Sequence, residues 1–161
     1  MPVIVKFIVA SEENAHRVSQ MAKQHYAKLS QKNIDKEYSV SAFLNSANSF
    51  TREWLMSFEV TGEDEERQEE PLAFVELLSA NLPKEAEGNK PVYIEKITHG
   101  DKGNGVKEVV NRALEIAIQR RHDVIWAEIP EGDDAVKNTL AEFGFVKSGM
   151  KENKQLFKKI M

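Results

Sequence analysis

The order of apolar and polar positions along the chain predicts alternating strands and helices, an α/β fold. Residues 4–9 form a short apolar run ending near Ser11, a good helix N-cap because its hydroxyl can accept an orphan amide of the first turn. Ala15, Val18, Ala22, His25 and Leu29 then recur at helical spacing with Met21 beside them, which predicts a helix over 12–30. A polar break at 31–37 leads to a short helix over 39–47 with Val40, Phe43, Leu44 and Ala47 inward. Trp54, Met56, Phe58 and Val60 alternate with Glu53, Ser57 and Glu59, giving a strand over 50–60 whose tryptophan is a core residue. A second strand over 72–78 completes an antiparallel hairpin across a long, mobile acidic loop. Beyond the proline- and glycine-bearing loop at 81–91 lie a strand over 92–98, a helix from about 106 to 121 and a strand over 123–129. A short helix over 133–142, stopped by Gly144, precedes two strands near 145–150 and 154–160.

At 161 residues the chain suits a single domain, 1–161, since domains most often run about 100–150 residues. The hydrophobic share of 41% and charged share of 30% argue against disorder of the whole chain, and composition excludes collagen-like or coiled-coil order. The absence of cysteine excludes disulfides, thiolate zinc sites and cysteine nucleophiles, and suits the reducing cytoplasm expected as its location. Lys6 interrupts the apolar opening and no small-residue cleavage site follows, so a buried first strand is expected rather than a signal peptide. No apolar run approaches a membrane span. A net charge of −4 argues against nucleic acid as a partner. The charge is uneven: 61–70 holds six acids and one arginine, and 147–159 holds five lysines and one glutamate. Both read as solvated surface, with the acidic segment mildly favouring a cationic partner. The hairpin near 50–80 and the final hairpin are the expected edges for a homodimer. His16, His25 and His122 have no metal-ligand spacing, and no Gly-x-Ser-x-Gly elbow is present.

The chemistry concentrates where strand 92–98 meets the following helix. A strand–helix–strand unit makes two parallel, right-handed neighbours. Its first junction reads Gly100-Asp101-Lys102-Gly103-Asn104-Gly105. Glycines let backbone approach a ligand, and the first helical amides and the helix dipole favour an anion such as phosphate. Lys102 and Lys107 add charge there. A P-loop is absent. A dinucleotide fingerprint fails at Glu108, where its third glycine belongs, although Glu128 lies near the place of a ribose-binding acid. A nucleotide-binding domain therefore stays open at this point.

The run VYIEKITHGDKGNGVKEVVNRALEIAIQRRHDVIWAEI, the short helix and FGFVKSG resemble the GNAT acetyltransferase superfamily. The motif-level likeness covers about residues 92–149, and the order of elements agrees along nearly the whole chain. The resemblance implies a mixed, twisted sheet of about seven strands flanked by about four helices, splayed between strands 92–98 and 124–129. It implies acetyl-CoA as acyl donor, its pyrophosphate on the amides of Gly103, Asn104, Gly105 and Val106 beside Lys107. Ile97 and Thr98 would meet the pantetheine and thioester, and a main-chain amide near Thr98 would stabilise developing charge. The activity implied is transfer of an acetyl group by direct attack of a primary amine: a small amine, a polyamine or a peptide amine. Glu95 is the first candidate base, directly or through water, and His99 a second acid–base candidate. Tyr26 and Tyr38 lie on the helical segment that lines the acceptor pocket in this superfamily. The chain departs from the pattern at Gly100, where arginine or glutamine is usual, at Asp133 for asparagine and at Leu140 for a proton-donating tyrosine. Those departures motivate a second reading, an acyl-CoA-binding or interaction module that kept the fold and lost turnover.

Overall fold

A computed structural model describes residues 2–26, 39–47, 51–100, 103–152 and 154–161. Tyr38 and the side chain of Tyr26 lie outside the described residues. In chain order the elements are β1 (Val3–Ile8), α1 (Glu12–Tyr26), α2 (Val40–Ala47), β2 (Arg52–Thr61), β3 (Gln68–Leu78) and β4 (Pro91–His99). They continue with α3 (Val106–Gln119), β5 (Val124–Pro130), α4 (Asp134–Glu142), β6 (Val146–Lys151) and β7 (Lys154–Ile160). The seven strands form one sheet in the order β1-β2-β3-β4-β5-β7-β6. Only β4 and β5 pair in parallel; the other described pairings are antiparallel.

Helices cover both faces. On one, Val109, Val110, Ala113 and Ala117 of α3 and Val136 and Leu140 of α4 pack against Leu55, Val75, Ile94, Ile97 and Ile125. On the other, Ala15, Val18 and Ala22 of α1 and Phe43 of α2 pack against Trp54, Met56, Phe58 and Phe74. Each fully buried aliphatic or aromatic side chain contributes about 1.5–3 kcal/mol. Two-sided burial explains why the polar half of the alternation in β2 fails at Ser57, which is buried.

The acidic hairpin differs from expectation. Strand β3 begins at Gln68, and Thr61 pairs with Gln68, so the connection shrinks to 62–67 with a 3₁₀ turn at Asp64–Glu66. Charged residues are tolerated in this strand because Lys6 of β1 binds Glu69 and holds its carboxyl below the usual range. The expected dimer edge at 50–80 is also corrected. Strand β1 covers β2 and β4 covers β3, so that hairpin is interior and the free edges belong to β1 and β6.

The feature that positions chemistry is the parting of β4 and β5. They pair from Pro91 with Val124 to Ile94 with Ala127 and, among the described residues, no further. The register between β3 and β4 slips there: Leu77 pairs with Ile94 and Glu76 with Lys96, leaving Glu95 as a bulge. A bulge bends its strand and strengthens local twist, turning β4 away from β5. The splay expected from the sequence is present.

Candidate active site

The start of α3 is built unlike the other described α-helix starts. Ser11, Ser39 and Asp133 accept from Asn14, Ala42 and Val136 amides at 3.2, 3.1 and 3.4 Å, capping α1, α2 and α4. Helix α3 is preceded by Gly105 in the left-handed region (φ +82°), with no side-chain cap. The amides of Asn104, Gly105 and Val106 find no backbone acceptor among the described residues, whereas that of Gly103 donates to the Gly100 carbonyl at 3.2 Å. Three of the four amides expected to face an anion thus lack a backbone acceptor among the described residues, with exposed Lys107 beside them. Val106 turns its side chain into the core.

The two flanking glycines have different reasons. A Cβ on Gly105 would lie 2.4 Å from Ser57 Oγ and 2.5 Å from Leu72 Cβ, so packing against the sheet demands this glycine. A Cβ on Gly100 would meet nothing within 4 Å. Gly100 and Asn104 instead border a cavity of about 450 Å³ walled by Arg17, Gln20, Met21 and Leu72. Gly100→Arg should therefore leave the melting temperature within about 1 °C. If CoA binds at the loop, the same change should tighten it roughly fivefold by calorimetry, the worth of one exposed ion pair of about 1 kcal/mol.

Beyond the bulge, Ile97 faces the α3 core and Thr98 faces α1, its Oγ1 against Met21 Sδ at 3.8 Å. Both sit on the part of β4 that has left β5, where the thioester arm was expected. Glu95 lies on the α1/α2 face, 26% exposed in its side chain. Arg52 donates through Nη1 to Glu95 and, at 2.8 Å, to fully buried Glu76, which also accepts from Trp54 Nε1 at 2.9 Å. Burial alone would lower the Arg52 pKa, but Glu95 and Glu76 outweigh it and raise it. Lys96 follows on the same face, its Nζ 4.7 Å from the Phe43 ring centre.

At the crotch of the two strands, Tyr93 of β4 donates its hydroxyl to Glu128 of β5. Burial, then this carboxylate, raise the phenol's pKa, so Tyr93 stays protonated. Lys151 and Lys154 of the final hairpin donate to Glu128 at 3.4 and 3.2 Å. Tyr93, Lys96 and Glu128 were not nominated from sequence for this arrangement. A tyrosine and a glutamate thirty-five positions apart meet only through the β4–β5 register, for which no local pattern codes.

His99 is on the opposite face from Glu95. Its Nδ1 lies 2.8 Å from the Gly100 carbonyl and its Nε2 3.1 Å from Asp133 Oδ1, both side chains being buried. The pair fastens the end of β4 to the start of α4. The structure therefore groups Glu95 with Arg52, Glu76 and Lys96, and groups His99 with Asp133. Leu140 is fully buried in the α3/α4 core and offers no proton. Among the described residues no cluster of metal-ligating side chains occurs, and no helix is long and apolar enough to cross a membrane.

No protein-family model and no curated protein sequence matches the chain. Solved structures do. A PaiA N-acetyltransferase of Thermoplasma acidophilum in complex with coenzyme A superposes with a TM-score of 0.69 at 13% identity, over 100% of both chains. A GNAT-family acetyltransferase of Listeria monocytogenes gives 0.66 at 14% identity, over 99% of this chain and 95% of that one. An N-acetyltransferase of Staphylococcus aureus gives 0.68 at 11% identity, over 99% and 98%. At such identities the likeness is one of fold.

Proposed function

We propose that this chain, which has the fold of the GNAT-family N-acetyltransferases, transfers an acetyl group from acetyl-CoA to an amine. The observation that carries the reading is the conjunction of two features of one β-α-β unit. Strands β4 and β5 part at Glu95, and the cleft they open lies beside a helix start whose Asn104, Gly105 and Val106 amides have no backbone acceptor among the described residues. The residues present fit the cofactor: an uncapped helix start and Lys107 suit a diphosphate, and the parted strands leave room for an extended arm. Acetyl-CoA, when bound, supplies an acetyl group already activated as a thioester.

The chain's own residues then have distinct tasks. The amides of Asn104, Gly105 and Val106 bind and orient the diphosphate, with the Gly103 turn shaping the loop. Ile97 and Thr98 line the arm, and a main-chain donor near Thr98 polarises the carbonyl. Glu95 takes the proton that an attacking ammonium must lose, directly or through water. Tyr26 and Tyr38 are assigned to the acceptor pocket by the segment they occupy. His99 positions the end of β4 through Asp133.

Leu140 supports a second reading, a module that binds acyl-CoA without turnover, because the usual proton donor is replaced by a core side chain. The two separate in one pair of assays. Millimolar CoA should raise the melting temperature by several degrees, and more than ATP or NAD does, as a ligand at about a hundred times its Kd adds about 2.7 kcal/mol. Acetyl-CoA with a panel of amines should release free thiol. Binding without release for any amine favours the module, and no CoA shift overturns both.

A further inference from the structure

We infer that the acceptor is an amine bearing its own carboxylate, and that the buried ammonium of Lys96 recognises that carboxylate. The inference rests on the transferase reading and deepens it.

The described buried and half-buried carboxylates on the α1/α2 side of the crotch are all matched by donors. Glu76 takes Arg52 and Trp54, Glu95 takes Arg52, and Glu128 takes Tyr93, Lys151 and Lys154. Lys96 is the exception. It is 8% exposed, and no carboxylate among the described residues lies within ion-pair reach of it. Its strand neighbour by register, Glu76, directs its carboxylate to Arg52 and Trp54 instead. The Phe43 ring offers Lys96 only the attraction of an aromatic face. A buried charge is costly unless paired, and a carboxylate carried by the acceptor would pair this one.

The bulge determines what that anion belongs to. It breaks the alternation of β4, so that Glu95 and Lys96, consecutive residues, both turn to the α1/α2 side. An amine delivered to Glu95 therefore brings the group a few bonds away from it over Lys96. A carboxylate in that place pairs with the lysine, whereas a second ammonium meets a like charge.

The charge distribution agrees. The acidic turn at 62–67 does not overlook the crotch. Ala73 pairs with the last residue of β4, and β3 extends five residues beyond it to Gln68, about 17 Å at 3.3 Å per residue. The nearer charged element is the final hairpin, whose Lys151 and Lys154 reach Glu128. The acidic turn therefore does not supply the charge beside Lys96, so the cationic preference suggested by the acidic stretch in the sequence does not carry over to this position.

Matched pairs of acceptors test this with the full-length protein. Phenylalanine against phenethylamine, and an Asp-Ala peptide amide against Ala-Ala amide, are followed by thiol release from acetyl-CoA, with CoA affinity measured by calorimetry. The expected result is at least a tenfold higher kcat/KM for the carboxylate-bearing member of one pair; the pair that shows it tells a free amino acid from an acidic peptide. Lys96→Met should erase that advantage through KM while CoA affinity holds, and Lys96→Arg should restore part of it. Equal or better use of the carboxylate-free amines, turnover of none, or equal slowing of both members by Lys96→Met overturns the inference while CoA binding stands. Loss of CoA binding in the wild-type protein overturns the transferase reading and this inference together.

Discussion

Glu95→Gln should lower kcat about a hundred- to a thousandfold and leave CoA affinity unchanged, the usual scale for removing a positioned general base. Glutamine keeps the shape and the hydrogen-bond acceptor facing Arg52 but cannot accept the ammonium proton. Folding should survive, because Arg52 retains Glu76, which is fully buried and also held by Trp54. The part-exposed pair that is lost contributes about 1 kcal/mol or less. Glu53→Gln is the control: Glu53 pairs with Arg120 away from the crotch, and its loss should not touch the rate. A Glu95→Gln protein within twofold of wild type would remove Glu95 from the chemistry and move the search to the crotch, where the Tyr93–Glu128 pair is the other proton-bearing contact.

What could be read from the sequence divides along a physical line. Features set by neighbours in the chain were legible. Ser11 caps α1 through a bond three residues long, and Gly144 ends α4 in the left-handed region where its lack of a Cβ allows it. The apolar stripe of α3 followed from period alone. The parting of β4 and β5 followed from the family likeness rather than from any periodicity. Features set by register were not legible. Strand β3 starts at Gln68 because Lys6 lies across the sheet from Glu69, a contact between residues sixty-three apart. The bulge at Glu95 is a one-residue slip against β3, and that slip puts Glu95 and Lys96 on one side and His99 on the other. Strict alternation would have placed Glu95 and His99 together. The sequence ranked them as two candidates for one task, and they belong to different neighbourhoods for that reason.

The glycine loop carries the other large effect, because identical residues stand there for unlike reasons. Gly105→Ala should cost about 2–5 kcal/mol in urea unfolding, combining left-handed backbone strain with an overpacked contact. The added methyl would press on Leu72 Cβ, which is fixed to its strand, and on Ser57 Oγ, which already donates to the Gly105 carbonyl at 3.0 Å. Ser57 can turn away only by giving up that bond, so Ser57→Ala in the same chain should recover part of the loss but not the Leu72 contact. Gly103→Ala meets Ala135 Cβ at 3.2 Å at φ +68° and should be intermediate, and Gly100→Ala, with open space and no positive φ, should be near neutral. Stability should therefore fall in the order Gly105, Gly103, Gly100. The CoA-induced rise in melting temperature should collapse in Gly105→Ala, because displacing the loop from β2 and β3 tilts the Asn104, Gly105 and Val106 amides together. A neutral Gly105→Ala with CoA binding abolished would mean instead that the ligand, and not the sheet, requires the glycine.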